Sequence, residues 1–357
     1  MKPHYPILDG LRGTAAILVI IFHIIEAHFH DFGIHPIHHG YLAVDFFFLL
    51  SGFVVAYAYD DRWARMSLWE FFKIRLIRLH PLVILGAAIG AIGFILDPYT
   101  NGFVNVGFVK LFGVMLLSFT LLPSPDIRGW GETHSLDGPA WSLFQEYIAN
   151  VIYGVFGRKM SGYVLGGIVA ISAVTLTLTA TGRPENDIAT GWGYATFWIG
   201  FNRMTLPFFA GLLLFRTGKL IRIPMAYVVC SLALIVLFML PKTTFNGFYE
   251  VGCILFIFPI IVVAGAGSVI EGRWAKLCKF SGDISYPLYI THYPFIYVYT
   301  AWVETQKPSA EQALPIACGV FVVSIVVAYA ALKLYDEPVR AWLKNKFLSA
   351  SSNFKKY

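Results

Sequence analysis

An arginine and a histidine in the first apolar segment are suited to chemistry at a membrane. Arg12 and His23 are eleven residues apart, so on an α-helix they lie within roughly 20° of one face and about 16 Å apart along the axis. A guanidinium can pair with a phosphorylated head group, and an imidazole further along can act as a base or accept a transferred group from a long arm. The structural alternative is a snorkelling arginine and a packed histidine.

Other ionisable side chains also interrupt apolar segments, where each is costly unless it faces the protein interior. Asp45 needs a partner, which is either His23 or a polar group at a helix contact. Arg75 and Arg78 share one helix face and either bind phosphates or anchor to anionic lipids. Glu146 either orients a histidine, accepts a proton or forms a structural salt bridge. We therefore predict catalytic roles for His23, Glu146 and Asp45. Arg12, Arg75 and Arg78 are predicted to bind the phosphorylated head of the molecule that donates the transferred group.

A second group of candidates lies near the ends of apolar segments. Glu26, three residues after His23, can orient the imidazole or sit at the interface. His134, Trp141 and Ser142 run from a loop into a helix start and are predicted to bind substrate. His292 is added to that set, although a single histidine among aromatic residues more often packs than reacts.

Composition indicates that these residues are carried by a membrane protein. Hydrophobic residues make up 57% of the chain and charged residues 13%, about half the charged fraction of an ordinary soluble domain. The net charge of +6 comes from short basic clusters between apolar segments, which argues against nucleic-acid binding. The four cysteines are far apart, so we predict neither a metal site nor disulfides.

Eleven apolar segments are long enough to be membrane helices or nearly so: 11–29, 41–59, 81–96, 107–122, 141–157, 162–181, 200–217, 223–240, 248–266, 284–303 and 313–334. Basic residues favour the cytoplasm, and five basic clusters can all lie inside only if one segment does not cross. The clusters are Arg62, Arg65, Lys73, Arg75 and Arg78; Arg158 and Lys159; Arg216, Lys219 and Arg222; Arg273, Lys276 and Lys279; and Arg340, Lys344, Lys346, Lys355 and Lys356. Either 81–96 or 107–122 is then re-entrant or interfacial; we favour 107–122. The prediction is an all-α bundle of about ten transmembrane helices in one domain, 1–345, with a basic tail, 346–357, and both termini cytoplasmic.

Several motifs together resemble the acyltransferase-3 family of membrane acyltransferases. They are Asp9 to Gly13 with His23, Gly40 to Phe53, Arg75 to Pro81, Trp141-Ser142-Leu143 with Glu146, Ser285 to His292, and Glu337-Pro338-Val339-Arg340. The resemblance covers nearly the whole chain. It departs from the family at Phe144-Gln145-Glu146, where many members have Val-Glu-Glu, so one carboxylate of that pair remains.

The resemblance implies O-acylation in the bacterial cytoplasmic membrane. The expected donor is acyl-coenzyme A, with acetyl as the acyl group, and the expected acceptor is a hydroxyl of a cell-surface glycan, a lipid-linked sugar or a related molecule. Membrane lipids are the expected surroundings, and a separate extracytoplasmic transferase is a candidate partner because some members carry such a domain. The alternative from the residues alone is a transporter or flippase that uses the buried charges as a substrate pathway.

Overall fold

The computed structural model describes residues 4–348, which form helices joined by loops. The α-helices in chain order are α1 (Pro6–Glu26), α2 (Leu42–Tyr59), α3 (Leu68–Leu96), α4 (Gly102–Phe119), α5 (Ala140–Val155), α6 (Gly162–Gly182), α7 (Phe197–Thr217), α8 (Ala226–Met239), α9 (Asn246–Gly252), α10 (Phe258–Gly267), α11 (Gly272–Thr291), α12 (Tyr293–Gln306), α13 (Ala310–Ala330) and α14 (Glu337–Phe347). The all-α prediction is confirmed for this part of the chain, where extended backbone pairs only in an isolated bridge.

The protein is a multi-pass membrane protein. Within residues 4–348, eight helical runs are long and apolar enough to cross a bilayer: α1, α2, α3, α4, α6, α7 with the turn before it, α9 to α10, and α13 to α14. α8 is a shorter apolar helix. The predicted total of ten crossings stays a prediction, and most of the predicted tail, from 349 onward, lies outside the described residues.

Two predicted segments, 81–96 and 284–303, are parts of longer helical runs that continue through a proline. α3 begins at Leu68 instead of 81, since Ser67 and Glu70 form a capping box that satisfies the first turn, and Pro81 lies inside the helix. The segment predicted at 284–303 belongs to a longer run, α11 and α12. His292 between them keeps right-handed helical dihedral angles (φ −80°, ψ −35°), and Pro294 follows directly. The chain therefore continues through the junction as a bent helix.

The segment around α4 starts and returns at the same end of α3. A Cβ atom at Gly102 would lie 2.9 Å from the Phe94 ring, so the start of α4 is against that ring. After α4 the chain turns back, and the Arg128 guanidinium lies 5.0 Å from the centre of the same ring. The loop between α4 and α5 therefore ends up beside the start of α4.

Close backbone contact holds α2 against α7. A Cβ atom at Gly52 would lie 1.9 Å from the Phe208 carbonyl oxygen, and one at Gly211 would lie 2.1 Å from the Leu49 carbonyl oxygen. Each glycine thus accommodates the backbone of the opposite helix, as small residues do between membrane helices. α1 packs against α2, α8, α11 and three further helices, so the helix that carries Arg12 and His23 is surrounded by others.

The basic clusters that predicted the cytoplasmic side converge at one end of the bundle. Arg216 donates to the Asp60 carboxylate (2.7 and 3.0 Å) and to the carbonyl oxygens of Gly157 and Met160. These contacts join the α2–α3, α5–α6 and α7–α8 connections. Arg340 and Lys279 line one cavity together with Arg12, Arg75 and Arg78. Residues in or next to all five clusters therefore lie at this end of the bundle, while Lys355 and Lys356 lie outside the described residues.

Candidate active site

Two cavities lie inside the bundle and share part of their wall. The Arg12 cavity, about 500 Å³, opens beside the beginning of α1 and contains Arg12. The His23 cavity, about 600 Å³, lies toward the end of α1 and contains His23. Val44 of α2 and Tyr289 of α11 line both. The two residues predicted to act along one helix therefore face separate compartments that meet at a common wall.

A short hydrogen bond orients the imidazole in the His23 cavity. His23 Nδ1 lies 2.6 Å from a carboxylate oxygen of Glu26, the contact that the three-residue spacing had suggested. A carboxylate accepts, so Nδ1 carries the proton in the neutral ring and Nε2 keeps its lone pair. The side chain is 19% exposed, which lets Nε2 reach a molecule in the cavity. The arrangement is suited to general-base chemistry.

Glu132 is a second carboxyl group in this cavity, and the sequence did not single it out. It is only 4% exposed and accepts a hydrogen bond from the Tyr297 hydroxyl at 2.5 Å. Burial raises the pKa of Glu132 to about 7, although the Tyr297 hydrogen bond and the Arg128 charge act in the opposite direction. Its position beside the cavity depends on the fold of the loop before α5, which gave no local sequence signal.

The Arg12 cavity holds a group of cations that are unequally paired. Arg75 donates to Glu146 at 2.9 Å, and the Ser51 hydroxyl donates to the same carboxylate oxygen at 2.7 Å. Arg12 makes a longer contact with Asp9, 3.3 Å. Among the described residues, Arg78 has neither a hydrogen-bond nor an ion-pair partner. The cavity thus offers at least one guanidinium with all its donors free for an anion.

The wall between the cavities is built around Tyr289. Its hydroxyl lies 2.7 Å from the Ser142 hydroxyl, and Ser142 in turn donates to the Pro139 carbonyl oxygen at 2.9 Å. The Phe47 ring packs edge-on against Tyr289 with 5.7 Å between ring centres. A molecule that connected Arg12 with His23 would have to pass these side chains.

Asp45 does not pair with His23. The carboxylate is fully buried and accepts hydrogen bonds from Arg203 at 2.5 and 3.3 Å. Arg203 is 1% exposed, donates also to the carbonyl oxygens of Thr190 and Tyr41, and lies 5.4 Å from the centre of the Trp141 ring. Of the two partners considered for Asp45, the contacts therefore match a polar group at a helix contact, Arg203 of α7, and not His23.

Glu146 is likewise held by Arg75 in the Arg12 cavity and is not among the residues around His23. Of its three predicted roles, the contacts match the structural salt bridge.

The four predicted substrate-binding residues are separated by the fold. Trp141 lines the His23 cavity and Ser142 the Arg12 cavity. His134 lines neither cavity: it is 2% exposed, its Nδ1 lies 2.9 Å from the Thr133 hydroxyl and its Nε2 3.3 Å from the Leu121 carbonyl oxygen. Burial lowers the pKa of His134 to about 4. His134 therefore supports the loop and is not positioned to contact substrate.

His292 lies behind His23. It is fully buried, its Nδ1 lies 3.0 and 2.9 Å from the carbonyl oxygens of Leu288 and Tyr289, and the His23 and His292 ring centres are 5.7 Å apart. Its Nε2 has no hydrogen-bond partner among the described residues. His292 packs against the predicted base without lining its cavity.

No cluster of three or more histidine, cysteine, aspartate or glutamate side chains in residues 4–348 is arranged to hold a metal ion. The four cysteines are free thiols.

Comparison with known proteins identifies the type of domain. A family described as "Acyltransferase domain" matches residues 5–333. The chain is 24% identical to a peptidoglycan O-acetyltransferase of Listeria monocytogenes over 99% of this chain and 58% of that protein. It is 28% identical to the acyltransferase MdmB of Streptomyces mycarofaciens, covering 82% of this chain and 79% of that protein.

A third relative is a protein of the picA locus of Rhizobium radiobacter, 33% identical over 49% of this chain and 93% of that protein. The chain thus spans under two thirds of the length of the Listeria enzyme and most of the length of the other two relatives. No solved structure matches the chain.

Proposed function

Because the chain belongs to the acyltransferase-3 family, we propose that it moves an acetyl group from acetyl-coenzyme A in the Arg12 cavity to a hydroxyl of a glycan in the His23 cavity. The observation that carries this proposal is the pair of cavities that meet at Val44 and Tyr289, with cations on one side and a carboxylate-oriented histidine on the other. The chain is an acyltransferase; its donor, its acceptor and the part played by each residue are what we propose.

The donor side is supported by charge. Coenzyme A carries several phosphate groups, and Arg78 is free to form charge-assisted hydrogen bonds with them. Among the described residues, the one ion-pair partner of Arg12 is Asp9, at 3.3 Å, and Arg12 faces the same space. Arg75 is the least available of the three arginines predicted to bind the donor, because it is already ion-paired with Glu146.

Transfer requires the thioester to reach the wall around Tyr289 from the Arg12 cavity. His23 Nε2 then removes the proton from the acceptor hydroxyl while the oxygen attacks the thioester carbonyl. The new ester bond forms, the carbon–sulfur bond breaks, and the proton passes from His23 to the leaving thiolate. Glu26 stabilises the imidazolium between these steps. The alternative, in which His23 itself carries the acetyl group, predicts a labelled protein when no acceptor is present.

The orientation in the membrane follows from the same proposal. The end of the bundle where the basic clusters meet is taken as cytoplasmic, which admits acetyl-coenzyme A to the Arg12 cavity. The His23 cavity then faces the opposite side. The return of the chain to Phe94 after α4 supports the prediction that 107–122 is the segment that does not cross.

The test is acetyl transfer by the purified full-length protein in lipid nanodiscs, with radiolabelled acetyl-coenzyme A and a panel of cell-surface glycans. His23→Ala should abolish label transfer while leaving thermal unfolding unchanged. His38→Ala is the matched control, because His38 lines neither cavity. Full transfer by the His23 variant would refute its assignment.

The donor site is tested by Arg78→Gln. Loss of a charged hydrogen bond costs about 1.5–3 kcal/mol, so the Kd of coenzyme A should rise roughly 10- to 150-fold. Arg222→Gln removes an exposed arginine of the same basic end that lines neither cavity, and it should leave the Kd unchanged. An equal rise in the Kd of coenzyme A for both variants would show that Arg78 contributes only to the overall positive charge of this end and does not contact the phosphates.

A further inference from the structure

The walls of the His23 cavity combine aromatic rings with carboxyl groups. Three tryptophans and three tyrosines line it: Trp130, Trp141, Trp192, Tyr41, Tyr289 and Tyr293. Glu26, Glu132 and Glu304 line it as well. Flat aromatic faces can pack against the apolar faces of sugar rings, and carboxylates accept hydrogen bonds from hydroxyl and amino groups.

The arginine that lines this cavity and a lysine beside its wall are already engaged in ion pairs. Arg203 lines the cavity, but each of its three nitrogens donates to an oxygen and the buried Asp45 carboxylate balances its charge. Lys242 lies 5.4 Å from the centre of the Phe32 ring at the cavity wall and is ion-paired with Asp187.

The histidines at the wall are also beside acids. His23 contacts Glu26, and His30 lies 3.9 Å from Glu304, which is half exposed at the rim. In the described part of the chain, no lysine or arginine at this wall is therefore left to pair with a negatively charged acceptor.

We propose that the His23 cavity accepts sugars without a negative charge near the attacking hydroxyl and rejects the corresponding sugars that carry a carboxylate or phosphate there. The inference rests on the proposed use of this cavity for the acceptor. A carboxylate about 7 Å from one of the wall carboxylates, at an effective dielectric constant of about 20, is repelled strongly enough to lower affinity by roughly tenfold or more. A neutral hydroxymethyl group at the same position is not repelled and can donate a hydrogen bond.

The experiment compares methyl glycosides of glucose, galactose and mannose with the matching uronosides, which differ only by a carboxylate at C6. Binding to the full chain in nanodiscs is followed without any donor through tryptophan fluorescence, since three tryptophans line the cavity. At least one neutral glycoside should bind about tenfold or more tightly than its uronoside. Raised salt should narrow that ratio.

Glu304→Lys reverses one charge at the rim, and it should reduce the preference for the neutral glycoside over its uronoside several-fold. Glu311→Lys is the matched control: Glu311 is exposed, lies just beyond α12 at the start of α13, and lines neither cavity. Equal or tighter binding of the uronosides, equal effects of the two variants, or no binding of any glycoside would overturn the inference. Selective binding of neutral glycosides without acetyl transfer would instead count against the proposed function alone.

Discussion

Substitutions in the ion pair between Asp45 and Arg203 can show whether Asp45 has a structural or a catalytic role. Both side chains are almost completely excluded from solvent, at 0% and 1% exposure. Asp45→Leu leaves the Arg203 guanidinium with carbonyl oxygens but no opposite charge, and Arg203→Met leaves the carboxylate alone. The double variant replaces both charges with apolar side chains of comparable size.

The magnitude follows from the cost of an unpaired buried charge. Removing one partner of a buried pair destabilises a protein by about 3–5 kcal/mol, whereas replacing both partners is often close to neutral. We therefore expect each single variant to lower the unfolding temperature by roughly 4–7 °C, since the entropy of unfolding of a chain of 357 residues is about 0.75 kcal/mol/K. The double variant should recover most of that loss, which gives a large favourable coupling energy.

The assay is thermal unfolding of each variant in nanodiscs, measured beside acetyl transfer. We expect acetyl transfer by each single variant to fall in proportion to its stability. Transfer should return in part in the double variant, since Trp141 would regain a packed neighbour in place of Arg203. An Asp45→Leu protein that unfolds at the normal temperature but transfers nothing would refute it. That result would restore the catalytic role that the sequence first suggested.

Three further predictions concern packing, protonation and the wall between the cavities. Gly52→Ala should destabilise the protein by about 1–3 kcal/mol or more in thermal unfolding, because its Cβ would meet the Phe208 carbonyl oxygen, whereas Gly113→Ala, with open space around it, should not. The stability of the wild type relative to Glu132→Gln should fall by roughly 3 kcal/mol as the pH rises from 4.5 to about 7, because the pKa of Glu132 is raised from 4.5 to about 7 and the buried carboxyl is favoured in its protonated form. The contribution of His134, whose lowered pKa acts in the opposite direction, is common to both proteins and cancels in this difference. Tyr289→Ala should raise acceptor-independent release of coenzyme A, because water can then cross the shared wall, and Tyr289→Phe, which keeps the ring, should not.

Much of the helical architecture was accessible from apolar segment length. Each of the eleven predicted segments overlaps a helix, because a chain in lipid must satisfy its backbone hydrogen bonds internally, and several run up to three residues past a helix end. The errors fell at prolines. The apolar segment 81–96 is only the later part of α3, which begins thirteen residues earlier at Leu68 after the Ser67 cap, and apolar length gives no sign of the bend at Pro294.

The candidate site was predictable only where its parts lie on one helix. Arg12, His23 and Glu26 are placed by helical spacing alone, and spacing identified both their common face and the contact between the last two. The family could also be recognised from motifs in order along the chain. Partners from distant segments could not be assigned, since Asp45 meets Arg203 from α7 and Glu146 meets Arg75 from α3.

Local sequence therefore determined the membrane class, most helices and the alignment of Arg12 with His23. Tertiary structure alone decided that these two residues face different cavities, that Val44 and Tyr289 separate them, and that Glu132 rather than His134 faces the histidine's compartment. The physical reason is that periodicity sets where a side chain lies around its own helix, whereas the packing of helices and loops sets which charges meet and where space remains.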